Sequence, residues 1–138
     1  MAGKVVTAFR VSNIERSRRF YAQLGFREIG SGDMGNAFRV MLNLPGDGDE
    51  VTIELISEPS IGRIEAGNGF SHIAIQVDDL DDMLATLAEA GIDIGKPELP
   101  GGPDGPKTAF LTDPDGYRME LVQWPPGHSA ALTSADFA

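Results

Sequence analysis

The sequence predicts an α+β fold built from two βαβββ modules in tandem, and three observations carry that expectation. The first is an ungapped self-match at an offset of 66 residues, which lays "FRVSNIERSRRFYAQLGFREIG" over "IQVDDLDDMLATLAEAGIDIGK". It pairs Val11 with Val77, Ile14 with Leu80, Gly25 with Gly91 and Phe26 with Ile92, and carries "IEL" (53–55) onto "MEL" (119–121). Self-similarity at a fixed offset marks a repeated supersecondary unit. The second is that each copy opens on a period-two alternation and continues with a helical period closed by glycine. The third is the run of short apolar segments that follows, parted by clusters of Gly, Pro, Asp and Asn. The boundaries expected are 1–66 for the first module, 67–124 for the second and 125–138 for a C-terminal tail.

The elements follow in order. Val5 to Val11 alternates as a strand. In "SNIERSRRFYAQLGF", Ser12 and Glu15 have capping-box spacing, with Asn13 as an alternative cap. Ile14, Phe20 or Tyr21, and Leu24 fall at helical intervals, and Gly25 suits the left-handed position after the last turn. Strands are expected at Phe26 to Gly30, Phe38 to Leu44 and Val51 to Ile56, separated by the turn-rich "GSGDMGN" and "PGDGDE". The second module repeats the plan. It has a strand from Ser71 to Val77, then "DDLDDMLATLAEAG" with an aspartate cap, a Leu80, Met83, Leu84, Leu87 stripe and a terminal Gly91. Strands at Ile92 to Ile94, Thr108 to Thr112 and Tyr117 to Val122 complete it. Each curved four-stranded sheet should bury one face under its helix.

Composition narrows the function. With 138 residues, 41% hydrophobic and 23% charged, the chain reads as an ordinary globular protein able to bury a core. Eleven basic against 21 acidic residues give a net charge of -10, which repels phosphate backbones and anionic membranes. Nucleic acid and membrane partners are therefore not expected. There is no cysteine, which removes disulfides, thiolate nucleophiles and thiolate metal sites. "MAGKVVTAFRV" passes straight into a strand without the apolar stretch of a signal peptide, and a cytoplasmic protein is expected.

The faces opposite the helices hold the polar residues. Ile73, Ile75 and Val77 face the helix, so His72, Ala74 and Gln76 face away, as do Val6, Ala8 and Arg10 on the matching strand. Glu54 and Glu120 share those open faces. If the modules are separate, these are ordinary wet faces of half-buried sheets. If the sheets pair around a pseudo-two-fold axis to form a cleft, His72, Glu54 and Glu120 converge. A buried carboxylate is costly without a cation. One imidazole and two carboxylates suit a divalent metal such as Ni²⁺, Zn²⁺, Mn²⁺, Co²⁺ or Fe²⁺.

The stretches "FRVSNIERSRRFYAQLGF", "VTIEL", "SHIAIQVDDLDDMLATLAEAG" and "FLTDPDGYRMELVQW" together resemble the vicinal oxygen chelate superfamily. That superfamily includes glyoxalase I, bleomycin-resistance proteins, fosfomycin-resistance enzymes, methylmalonyl-CoA epimerase and extradiol dioxygenases. "DPDGYRMEL" is the most specific stretch and is similar to the end of the last strand in bacterial glyoxalase I. The resemblance implies metal ligands on the first and last strands of each module, which puts Glu54, His72 and Glu120 at three of the four positions. The fourth falls on Val6, which cannot ligate, and neighbouring Thr7 has the wrong strand parity. Open coordination still lets a substrate chelate.

By the same resemblance the metal chelates adjacent substrate oxygens and stabilises an enediolate, while Glu120 is the catalytic base. Arg10 falls where an arginine contacts a substrate carboxylate; otherwise it is a paired structural arginine. Val6, Ala8, Ala74 and Gln76 would line the substrate cleft, with Val122 adding to its apolar part. The alternative is a metal-free protein that sequesters a drug or metabolite, as bleomycin-resistance proteins do. An extradiol dioxygenase, with two histidines and one glutamate on iron, fits less well. His128 in the tail could fold back towards the site. Loops 30–38 and 96–107 would form either the rim or plain hairpin connections, and Trp124 either a core aromatic or a subunit contact. The resemblance also implies a homodimer in which one chain's Glu54 meets its partner's His72 and Glu120.

Overall fold

Apolar side chains at alternate strand positions and at three- and four-residue helical spacing fix the elements of this protein. The computed structural model describes residues 3–138. The chain divides into two compact units, Met1–Ala66 and Gly67–Ala138.

In the first unit, β1 (Thr7–Arg10) leads into α1 (Ile14–Gln23), followed by β2 (Arg27–Met34), β3 (Ala37–Asn43) and β4 (Ile53–Ser57). The sheet order is β1-β4-β3-β2. The second unit runs β5 (Ile73–Gln76), α2 (Leu80–Glu89), β6 (Lys107–Thr112) and β7 (Arg118–Gln123), with sheet order β5-β7-β6. β1 pairs in parallel with β4, Thr7 opposite Ile53 and Ala8 opposite Glu54. β5 pairs in parallel with β7, Ile73 opposite Met119 and Ala74 opposite Glu120. The second register is the first moved along the chain by the repeat offset. The duplication therefore extends to hydrogen-bond pairing, and the α+β fold is as expected.

The helices start and stop where local chemistry allows. α1 is capped by Asn13, whose side chain accepts from the Arg16 N–H at 3.0 Å, so the cap is the Asn13 alternative. Ser12 Oγ instead accepts from the Arg16 guanidinium. Asp79 caps α2 through the Asp82 N–H at 3.0 Å. Gly25 and Gly91 end the helices at φ of 96° and 78°, a region that costs other residues steric strain. Phe20 and Tyr21 of α1, Leu24 just after it, and Val40, Leu42, Ile53 and Leu55 of the sheet are all buried. Leu80 and Leu87 of α2 are fully buried, as are Met119 and Leu121 on the covered face of β7.

Three expectations are corrected. "GSGDMGN" is mostly strand: β2 runs through Ser31 and Gly32 to Met34, in register with β3, and only Gly35 and Asn36 turn. Pairing with β3 outweighs the turn preference of these residues, and a left-handed backbone is needed only at Gly35, φ 68°. The first and fifth strands are shorter than their alternation suggests, so Val6 and His72 sit just before β1 and β5. The strand at Ile92 to Ile94 is reduced to one isolated bridge, Ile94 to Leu111, with a second beyond it from Glu98 to Thr108, which leaves the second sheet with three strands. Pro97 and Pro100 lack the N–H that a continuous ladder requires. Contact is kept by Gly95, whose N–H reaches Phe110 O at 2.8 Å; a Cβ there would lie 3.1 Å from that oxygen.

The specific stretch "DPDGY" is structural. The buried Asp113 carboxylate accepts from the N–H groups of Asp115 and Tyr117, both at 2.9 Å, and Gly116 takes φ 95°. This closed turn delivers β7 antiparallel to β6 and fixes which residues of β7 share the open face.

Candidate active site

The open face of the second sheet gathers His72, Glu120, Phe110 and Arg118. Phe110 stands opposite Glu120 across β6 and β7, and Ala74 opposite Glu120 across β5 and β7. His72 lies two residues before Ala74 and therefore on the same side. Its Nε2 is 3.4 Å from Glu120 Oε1. Nδ1 shares a 2.8 Å hydrogen bond with Ser71 Oγ. The Phe110 ring meets the imidazole edge to face at a centroid distance of 5.4 Å. His72 and Glu120 keep 30% and 20% of their side-chain surfaces exposed, so the pair is held yet reachable.

The open face of the first sheet is different. Glu54 Oε1 pairs with Arg39 Nη1 at 2.6 Å. Arg39 comes from β3, two residues before Met41, which is Glu54's cross-strand neighbour. Its Nε is buried without a hydrogen-bond partner among the described residues. The cation that the Glu54 carboxylate needs is thus supplied by the protein. Arg10 pairs with Glu58 at 3.1 Å, Ala8 is exposed beside Glu54, and Val6 is 46% exposed.

These distances test the fit of a divalent ion. Metal–nitrogen and metal–oxygen bonds of about 2.0–2.2 Å place neighbouring donors roughly 3 Å apart. His72 Nε2 and Glu120 Oε1 meet that requirement, and Ser71 on Nδ1 can fix the imidazole tautomer. Glu54 has its Oε1 engaged by Arg39. Among the described residues no group of three or more His, Asp or Glu is gathered to hold a metal. The fit is therefore limited to the His72–Glu120 pair.

Gln76, the last residue of β5 and on its open face, accepts a hydrogen bond from Trp124 Nε1. Trp124 in turn stacks on His128 at 4.1 Å and 12°. Both ring nitrogens of His128 are engaged, Nδ1 with Ser129 O and Nε2 with Asp136 Oδ1, each at 2.6 Å. His128 is thus committed to a tail clip. Ser129 O and the Asp136 carboxylate raise its pKa, while the Thr133 N–H and His128 lower that of Asp136. The histidine contribution is complete below its ordinary range, about 6.5, and is lost as pH rises through the raised value. The aspartate contribution is lost only on acidification through its depressed value. The clip should therefore loosen on the alkaline side. Emission of Trp124, the single tryptophan, should report that transition, and His128→Gln should abolish it.

Ser71, Arg39, Phe110 and Arg118 are absent from the expected site. Arg39 had a signal, being the one charge in the apolar run "AFRVMLN". The others become visible only once the strands are paired.

A duplicated βαβ architecture with polar open sheet faces and an imidazole–carboxylate pair defines the class. The family model of the Glyoxalase/Bleomycin resistance protein/Dioxygenase superfamily matches residues 5–121, and the chain belongs to that superfamily. It is 34% identical over 128 residues to a probable lactoylglutathione lyase of Vibrio cholerae, covering 89% of this chain and 91% of that one. It is 32% identical to the lactoylglutathione lyase of Neisseria meningitidis, covering 85% and 87%. The trypanothione-dependent glyoxalase I of Leishmania major superposes with a TM-score of 0.74 at 25% identity, covering 89% and 87%. No helix among the described residues is long and apolar enough to cross a membrane.

Proposed function

We propose that this chain is a lyase/isomerase of the glyoxalase I type, acting on the hemithioacetal of a 2-oxoaldehyde and a thiol such as glutathione. The observation that carries the reading is the 3.4 Å contact of His72 with Glu120, on a sheet face that is open rather than covered by its helix. The activity named for the Vibrio and Neisseria relatives supports it.

Glu120 removes the proton from the carbon that bears sulfur and returns it to the adjacent carbonyl carbon. The substrate becomes an S-2-hydroxyacyl thioester, with no oxidant required and no atom lost. His72 keeps one carboxylate oxygen of Glu120 in place and is itself oriented by Ser71. Phe110 covers the imidazole and limits water on that side. His72 and Glu120 would hold a divalent cation, whose chemistry is to stabilise negative charge on two adjacent substrate oxygens. Val6 contributes no ligand, and Glu54 has one oxygen already engaged by Arg39. A homodimer belongs to this proposal, and a mass in solution of one 14.7 kDa chain would remove that element.

Titration with Ni²⁺, Zn²⁺, Mn²⁺, Co²⁺ and Fe²⁺, followed calorimetrically, tests the reading. Stoichiometric uptake of at least one of them should weaken by 10-fold or more in His72→Ala, since even residues that only orient ligands are worth roughly 10 to 100-fold. No uptake together with tight retention of an aromatic drug would replace the enzyme by a sequestering protein.

A further inference from the structure

We infer that Arg118, laid over Phe110, is an anion subsite beside the His72–Glu120 pair and receives the carboxylate of the ligand. The Arg118 Cζ lies 4.4 Å from the Phe110 ring centroid. The same ring meets His72 at 5.4 Å, so one aromatic side chain supports both the imidazole and the guanidinium. The register explains the grouping. Arg118 stands opposite Thr112 and Glu120 opposite Phe110, which puts Phe110, Thr112, Arg118 and Glu120 on one face of the β6–β7 pair.

The 21 acidic residues outnumber the 11 basic ones, so carboxylate partners are plentiful. Arg10, Arg18 and Arg39 each pair with one, Glu58, Glu28 and Glu54 respectively. Arg118 pairs with no carboxylate among the described residues, and its ring contact is with Phe110. The carboxylate two positions away, Glu120, has an oxygen 3.4 Å from His72. Stacking on an aromatic face restrains a guanidinium and leaves its N–H rim able to grip a planar carboxylate. The arginine is thus oriented before any ligand arrives, which lowers the cost of ordering it on binding.

The spacing also defines the ligand class. Two residues of strand separate Arg118 from Glu120 by about 7 Å. The carboxylate on Arg118 therefore lies several bonds from the carbon handled by Glu120. A short linear acid or a peptidic thiol adduct satisfies this, whereas an α-keto acid, with the carboxylate on the carbonyl carbon, does not. The inference rests on the proposed function only in taking His72 and Glu120 as the reacting end.

The test uses the full chain without metal or thiol, with phenylacetate, phenylphosphonate and phenylacetamide as probes. Binding is followed by the imidazole resonances, of which the chain has two, assigned with His128→Gln. Phenylacetate should shift the His72 signal saturably and bind at least 10-fold more tightly than the neutral amide. Arg118→Gln should erase that preference, and Arg118→Lys should restore part of it, a pattern that a merely structural arginine would not give. Equal binding of acid and amide, or a preference unchanged in Arg118→Gln, overturns the subsite. A preference for phenylphosphonate overturns the carboxylate assignment. Because no turnover is measured, failure here leaves the isomerase reading standing, and absence of turnover would leave the subsite standing.

Discussion

Glu120→Gln should retain the fold and lower conversion of the glutathione–methylglyoxal hemithioacetal by roughly 10² to 10⁴-fold, the usual worth of a positioned general base. The amide matches the carboxylate in shape and still offers an oxygen to His72 Nε2, so the β5–β7 pairing and the buried Met119 and Leu121 on either side are undisturbed. What it loses is the capacity to accept a proton, together with the charge it would offer a cation, so the comparison is made at saturating metal. The loss should fall on kcat, with KM changed less, because the interaction removed is made while the proton is in flight. Thioester formation followed by absorbance checks this, and a drop under 10-fold would assign the proton to another group.

Tyr21→Ala should cost about 3–5 kcal/mol of stability, read from denaturant unfolding. Tyr21 is fully buried on α1, and its ring meets Phe9, Phe20 and Phe26 at centroid distances of 6.0, 5.2 and 5.7 Å. Removing it empties the centre of an aromatic cluster to which β1, α1 and the residue after Gly25 all contribute. Small domains are stable by only about 5–15 kcal/mol, so the first unit would approach its unfolding threshold. A cost below 1 kcal/mol would show that the cluster repacks and that the helix is held by its other contacts.

The repeat was legible because its matches fall where geometry leaves little choice. Gly25 and Gly91 must adopt positive φ, and the strand positions must keep their parity. The same parity places His72 and Glu120 on open sheet faces from the sequence alone. The rest of the site depends on cross-strand register, which a single segment does not carry. Arg39 meets Glu54 because β3 aligns Met41 with Glu54. Arg118 and His72 share the Phe110 ring because β6 enters next to β7. The strand expected at 92–94 keeps a single bridge, and Pro97 and Pro100 stop a continuous ladder beyond it. The choice of Asn13 over Ser12 as cap was settled by backbone placement rather than by motif. The tail clip joins His128 to Asp136 without any periodic signal to announce it.

The most direct measurement is thioester formation from glutathione and methylglyoxal by the untagged protein, assayed in turn with Ni²⁺, Zn²⁺, Mn²⁺, Co²⁺ and Fe²⁺. A rate proportional to enzyme concentration with at least one of these ions, and lost in His72→Ala, is the result expected. No thioester above the uncatalysed rate with any of the five, from protein that remains folded, would contradict the assignment of His72 and Glu120 as the reacting pair.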